Sequence, residues 1–148
     1  MPSGSGILVF ANGDYYNGQF DDGLPHGFGQ IFHTDGTWYK GEWIDGKKEG
    51  RGKEIWPDET YYDGDYHLNM KHGKGSFFWP DGSTYEGEFC ENAIEGQGKH
   101  LWADKRQYFG DWLDNKMHGK GLFRWPDGTV YEGDYYMDKK EGSGTFSW

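Results

Sequence analysis

The sequence predicts an all-β fold: an elongated, single-layer, twisted antiparallel meander of 23-residue hairpin repeats. Three observations predict it. A Gly-x-Gly pair recurs in unbroken register at Gly4/Gly6, Gly27/Gly29, Gly50/Gly52, Gly73/Gly75, Gly96/Gly98, Gly119/Gly121 and Gly142/Gly144. A Tyr-x-Gly-x-aromatic run recurs at the same spacing as Tyr16-Gly18-Phe20, Tyr39-Gly41-Trp43, Tyr62-Gly64-Tyr66, Tyr85-Gly87-Phe89, Tyr108-Gly110-Trp112 and Tyr131-Gly133-Tyr135. Between them stand turn signals of the Pro-Asp-Gly kind, in which Pro presets the first turn position and Gly accepts a left-handed backbone. Glycine recurs too often to leave room for an amphipathic helix.

In chain order, the first hairpin runs from Ile7 to Phe20 and turns at Asn12-Gly13. The second turns at Asp35-Gly36, with His33 where most repeats carry Trp. The third and fifth, Pro57-Asp58-Glu59 and Ala103-Asp104-Lys105, replace the expected Gly, at a cost of about 1 kcal/mol each if the left-handed geometry is kept. The fourth and sixth, at Asp81-Gly82 and Asp127-Gly128, follow the pattern in full. The last stretch, from Gly142 to Trp148, stops where its turn is due, which predicts one array over residues 1–148, about six hairpin repeats, continuing in a longer chain or pairing by its edge with another copy.

Within one repeat, pairing Trp79 with Ser83 sets Phe78 against Thr84, Phe77 against Tyr85 and Gly75 against Gly87. Alternation then gathers Gly73, Gly75, Phe77, Trp79, Tyr85, Gly87 and Phe89 on one face. Lys74, Ser76, Phe78, Thr84, Glu86 and Glu88 fall on the other. Opposed glycines leave a trough in which rings can lie flat. With strands about 4.8 Å apart, each repeat advances the sheet by about 10 Å. Nothing in the sequence supplies a second layer, so the aromatic face must be covered by its own rings, a partner or another copy.

The 26 glycines and 20% aromatic content do not match an ordinary globular core. The regular spacing of the rings supplies the burial that a disordered chain of net charge -10 would lack. That acidity disfavours nucleic acid and anionic membrane as nonspecific partners. Cys90 is the only cysteine, which fits a reducing compartment. Neither a signal-peptide pattern nor a spanning apolar run is present, so a cytoplasmic setting is expected.

Catalysis is not expected. The Gly-x-Gly pairs are not followed by a helix, as a dinucleotide fingerprint requires. Neither a P-loop nor a nucleophile elbow occurs, and no cofactor motif is present. The slot before each second-half glycine reads His26, Glu49, His72, Glu95, His118, Glu141; neighbours about 10 Å apart cannot share a metal, so these read as structural loop residues. One acid per repeat at Glu42, Asp65, Glu88, Asp111 and Asp134 reads as a solvated face. The residues expected to meet a protein partner are Trp43, Trp56, Tyr62, Trp79, Tyr85, Trp102, Tyr108, Trp125 and Tyr131, because a one-layer sheet exposes part of what it packs. The alternative is a lipid-surface adaptor using a loop edge of Lys47, Lys48, Lys71, Lys116, Lys139 and Lys140.

The pattern HGKGSFFWPDGSTYEGEF, residues 72 to 89, resembles the MORN (membrane occupation and recognition nexus) repeat, and the resemblance covers essentially the whole chain. Departures are Glu59 and Lys105 at turn glycines, His33 for Trp, and Glu for His in alternate loops. The resemblance implies a groove-forming sheet that scaffolds cytoskeletal, ciliary or membrane-junction assemblies, with members that bind a peptide or helical segment or self-associate as homodimers. It also implies phosphoinositide contact in some members and attachment to lipid-kinase or methyltransferase domains in others.

Overall fold

In the computed structural model, which describes residues 3–147, thirteen strands form one sheet in strict sequence order, every pairing antiparallel. They are β1 (Gly4–Val9), β2 (Tyr15–Asp21), β3 (Leu24–Phe32), β4 (Trp38–Ile44), β5 (Lys47–Ile55), β6 (Tyr61–His67), β7 (Met70–Phe78), β8 (Thr84–Cys90), β9 (Ala93–Leu101), β10 (Gln107–Leu113), β11 (Lys116–Arg124), β12 (Val130–Tyr136) and β13 (Lys139–Ser147). The expected register holds residue for residue, with Phe78 on Thr84, Phe77 on Tyr85 and Gly75 on Gly87. The reading of Trp148 falls outside the described residues. No helix is long and apolar enough to cross a membrane among the described residues.

One glycine per strand lines up across the sheet, from Gly6 through Gly18, Gly29, Gly41, Gly52, Gly64, Gly75, Gly87, Gly98, Gly110, Gly121 and Gly133 to Gly144. Tyrosine rings fill the trough this row leaves. Tyr16, Tyr39, Tyr62, Tyr85 and Tyr108 have 0% of their surface exposed, each lying over the second glycine of the next pair. Each hydroxyl donates to the carbonyl three residues on, as Tyr62 does to Asp65 at 2.8 Å and Tyr85 to Glu88 at 2.9 Å. Burial pushes these phenols above their ordinary pKa, so they remain donors. Edge-to-face contacts join them into one file: Tyr62 meets Tyr66 and Phe89, and Tyr85 meets Phe89 and Trp112, at centroid distances of 5.1–5.6 Å. The sheet thus roofs itself with its own rings.

The two glycines of a pair do different work, which the sequence reading merged into one. The first, such as Gly50 (φ 76) or Gly73 (φ 96), sits where the register slips between even and odd strands and needs a left-handed backbone. The slip leaves a backbone N–H without a strand partner. The acid slot supplies the acceptor: Glu42 takes the Arg51 N–H at 2.6 Å, Glu88 that of Gln97 and Asp111 that of Lys120 at 3.1 Å. Glu42, Asp65, Glu88 and Asp111 are therefore bulge clamps, a correction to their reading as merely solvated.

Two-residue turns with both φ positive close the opposite edge, among them Leu68-Asn69, Glu91-Asn92 and Asp114-Asn115. Each ties down the preceding repeat. Asn92 N–H donates to the Lys71 carbonyl at 2.9 Å while its Oδ1 accepts from the Lys71 N–H at 2.9 Å. Where Pro25 has no N–H to offer, its counterpart is Gly46, which has no side-chain acceptor and donates only its own N–H at 2.9 Å. His26, Glu49, His72 and His118 accept the N–H at the head of the next such turn, as structural loop residues.

At the tips, Glu59 (φ 75) and Lys105 (φ 78) keep the left-handed geometry their glycine counterparts adopt. Glu59→Gly should therefore raise stability by up to about 1 kcal/mol, the relieved strain exceeding the added entropy of the unfolded chain. Urea unfolding of the single variant checks this, and an unchanged or lower midpoint refutes it.

Candidate partner-docking face

Nearer the hairpin tips, a second file of rings runs along the same face: Trp56, Phe77, Trp79, His100, Trp102, Phe123, Trp125. Successive centroids lie 4.2–5.7 Å apart. Phe123 is buried, the rest half-buried. Each Trp is the last residue before a tip turn; Trp79 and Trp102 each lie between a ring of their own strand and one from the next repeat and still remain half-buried.

The expected partner-binding set divides on this geometry. Trp56, Trp79, Trp102 and Trp125 present ring surface. Trp43, Tyr62, Tyr85, Tyr108 and Tyr131 do not: they are at most 4% exposed, covered by rings of adjacent repeats, and serve the fold. The Trp43 indole spends its N–H on the Gly29 carbonyl at 3.1 Å. The lysine edge also divides. Lys48, Lys71 and Lys140 leave it and lay their ammonium groups over rings, Lys48 at 5.0 Å from Tyr39, Lys71 at 5.4 Å from Trp56 and Lys140 at 5.4 Å from Tyr131. Lys47, Lys116 and Lys139 remain as an exposed rim, and Lys140, although over a ring, is exposed as well.

A cleft of about 360 Å³ opens between Trp79 and Trp102, floored by Ile94, His100, Trp112 and Met117. His100 is the residue sequence reasoning missed; its signal was its place 23 residues from both Phe77 and Phe123, in a slot that elsewhere carries Ile31 and, in the third repeat, Glu54. Its ring lies 4.2 Å from Trp102 and 5.2 Å from Trp79, and its Nδ1 is buried without a partner among the described residues. Burial lowers its pKa, opposed by the Asp81 carboxylate. The unfolded chain, titrating near 6.5, then takes up a proton the folded chain resists. Stability is full above about pH 6.5 and falls as pH drops from there toward the lowered folded value. Urea midpoints at pH 7.5 and 5.5 should diverge less in His100→Phe than in the parent; equal divergence refutes the assignment.

The other face is not wholly charged: Tyr61 stacks on Phe78 at 4.3 Å, and Phe28, Ile44 and Phe109 are exposed there.

Among solved structures, the chain is similar to the SAS-4 (dCPAP) TCP domain of Drosophila melanogaster, solved in complex with a proline-rich motif of Ana2 (dSTIL). The TM-score is 0.56 at 14% identity, over 97% of this chain and 83% of that one. The G-box domain of the microcephaly protein CPAP aligns over 98% of this chain and 99% of that one, with 14% identity and a TM-score of 0.23. The first shares the open-sheet fold; the second score is too low to carry an argument. No curated protein matches the chain significantly. The MORN repeat family model matches seven segments, residues 1–15, 16–38, 39–61, 62–84, 85–105, 108–130 and 131–148. With the glycine row, the buried tyrosines and the hairpin register all repeating on that period, the chain belongs to the MORN repeat family.

Proposed function

We propose that this chain is a non-enzymatic interaction module that holds an extended segment of another protein along the ridge of Trp56, Trp79, Trp102 and Trp125. One observation carries the reading: the tyrosine file is sealed, whereas the tryptophan file beside it is half-open and flanks a cleft of about 360 Å³. Rigid, partly dehydrated aromatic rings are the anchors that dominate protein recognition. Grooves lined by them suit the preformed, low-entropy helix of proline-rich segments. The similarly folded SAS-4 domain, in complex with a proline-rich motif, supports the same class of partner. A scaffold role in a cytoskeletal assembly follows as the setting.

The Trp79→Ala, Trp102→Ala double variant should lose roughly thirtyfold to a thousandfold in affinity for proline-rich peptides selected on the parent protein, at about 2–4 kcal/mol for two hot-spot rings. Neither ring belongs to the tyrosine file, so circular dichroism should report a folded sheet. A folded double variant that binds the same peptides unchanged refutes the proposal.

A further inference from the structure

The third repeat differs from the others on the aromatic face. The slot that carries Ile31, Phe77, His100 and Phe123 carries Glu54 there. Its carboxylate, 13% exposed, accepts from the Tyr66 hydroxyl at 2.8 Å and lies 3.4 Å from Lys48 Nζ. One repeat on, Lys71 extends its ammonium over Trp56 at 5.4 Å and Tyr62 at 5.7 Å, and among the described residues it stands in no ion pair. Two ammonium groups therefore share one carboxylate on a largely apolar surface. Loss of hydration weakens the Lys71 ammonium, and Lys48 works in the same direction. Contact with two rings offsets part of that cost; a second carboxylate would offset more.

The spot is an exception in a chain of net charge -10, whose strand carboxylates Asp63, Glu86, Glu88, Asp111 and Glu132 alternate onto the opposite face. An acidic ligand is repelled by most of this molecule and drawn to the cations that lie over the ridge, of which Lys71 on Trp56 is half-buried, whereas Lys140 on Trp125 is exposed and Arg106 on Trp102 is already paired with Asp104.

We propose that the segment held by the tryptophan ridge carries an Asp or Glu that seats on Lys71 beside Trp56 and fixes the segment's register. The proposal rests on the docking reading above and names its occupant: an acidic protein segment. At about 10 Å per repeat, Lys71 stands roughly 15 Å from the Trp79–Trp102 cleft, so the acid lies about five extended residues from the one stacked there.

The test pans a random 16-residue phage-display peptide library against the parent, Lys71→Met and Lys71→Arg proteins, each verified as folded by circular dichroism. Peptides recovered on the parent should be enriched in Asp or Glu about five residues from a Pro or aromatic position. Lys71→Met should lose that enrichment and bind the parent's peptides about tenfold more weakly, while Lys71→Arg keeps both. Peptides that need Trp79 and Trp102 but show no acidic bias, or keep it on Lys71→Met, overturn the acidic register and leave the docking reading intact. Recovery of no peptide that depends on Trp79 and Trp102 overturns both. Binding of phosphatidylinositol 4,5-bisphosphate vesicles that is lost in Lys71→Met identifies the spot as a headgroup site and overturns the acidic segment.

Discussion

Gly75→Ala should destabilise the array by about 3 kcal/mol or more, although it adds one methyl group, because the ring above it has nowhere to go. A Cβ at position 75 would stand 2.4 Å from the Tyr62 hydroxyl and 2.6 Å from its ring carbons. Tyr62 is 0% exposed and pinned edge-on by Tyr66 and Phe89. The ring must lift off the glycine row, giving up its burial and its hydrogen bond to Asp65 together. The control is Gly6→Ala. That residue occupies the same slot in the first repeat, yet its nearest neighbour is the edge of Phe20 at 3.7 Å, so a methyl fits at little cost. Chemical denaturation of the two variants measures the difference; equal effects would show that the glycines answer to strand geometry instead of ring packing.

Tyr85→Ala is the second large effect, about 3–5 kcal/mol, typical of truncating a fully buried aromatic side chain. Its consequence should be spatial as well as energetic. In this meander each strand pairs only with its sequence neighbours and its rings reach one strand further, so stability is a chain of couplings between adjacent repeats. Tyr85 couples the repeats on either side through Phe89 and Trp112. Deuterium exchange should accelerate first in β8 and β9, then spread unequally to the two halves. Tyr85→Phe, which removes only the hydroxyl donated to Glu88, should cost about 1 kcal/mol and leave the exchange pattern intact. Uniform acceleration in Tyr85→Ala would instead mean one cooperative core.

Fold, period and hairpin register were legible because each rests on a local rule repeated without interruption: alternation gives the faces, and Pro-Asp-Gly fixes the turn from which pairing is counted. Three features were not. The first glycine of each pair and the acid clamp depend on a register slip that arises only when strands of unequal demand are joined, so Glu42 and Gly50 look unrelated in sequence. The division of the rings into a sealed and an open file is set by the distance of each ring from the strand end; Tyr85 and Trp79 share a face but not an environment. The path of Lys48, Lys71 and Lys140 away from the rim depends on rings contributed by preceding strands or the following one, which no local window contains.

The same packing logic explains how a chain with few aliphatic residues can be folded and still leave an open aromatic ridge, the proposed docking surface. Tyrosine closes the trough over bare backbone with both its ring and its hydroxyl, and the tryptophans at the strand ends stay half-buried beside it. Scaffold and proposed docking surface are adjacent files of one face. Substitutions in the tyrosine file should therefore be read out in stability and those in the tryptophan file in affinity.

Residue-resolved hydroxyl-radical footprinting tests this division most directly, comparing oxidation of each aromatic residue in the native chain with that in urea. Strong native protection of Tyr16, Tyr39, Tyr62, Tyr85 and Tyr108, with Trp56, Trp79, Trp102 and Trp125 still oxidised, is the expected result. Tyrosines oxidised as readily as those tryptophans would mean that the rings do not roof the glycine row, and the proposed docking ridge would lose its basis.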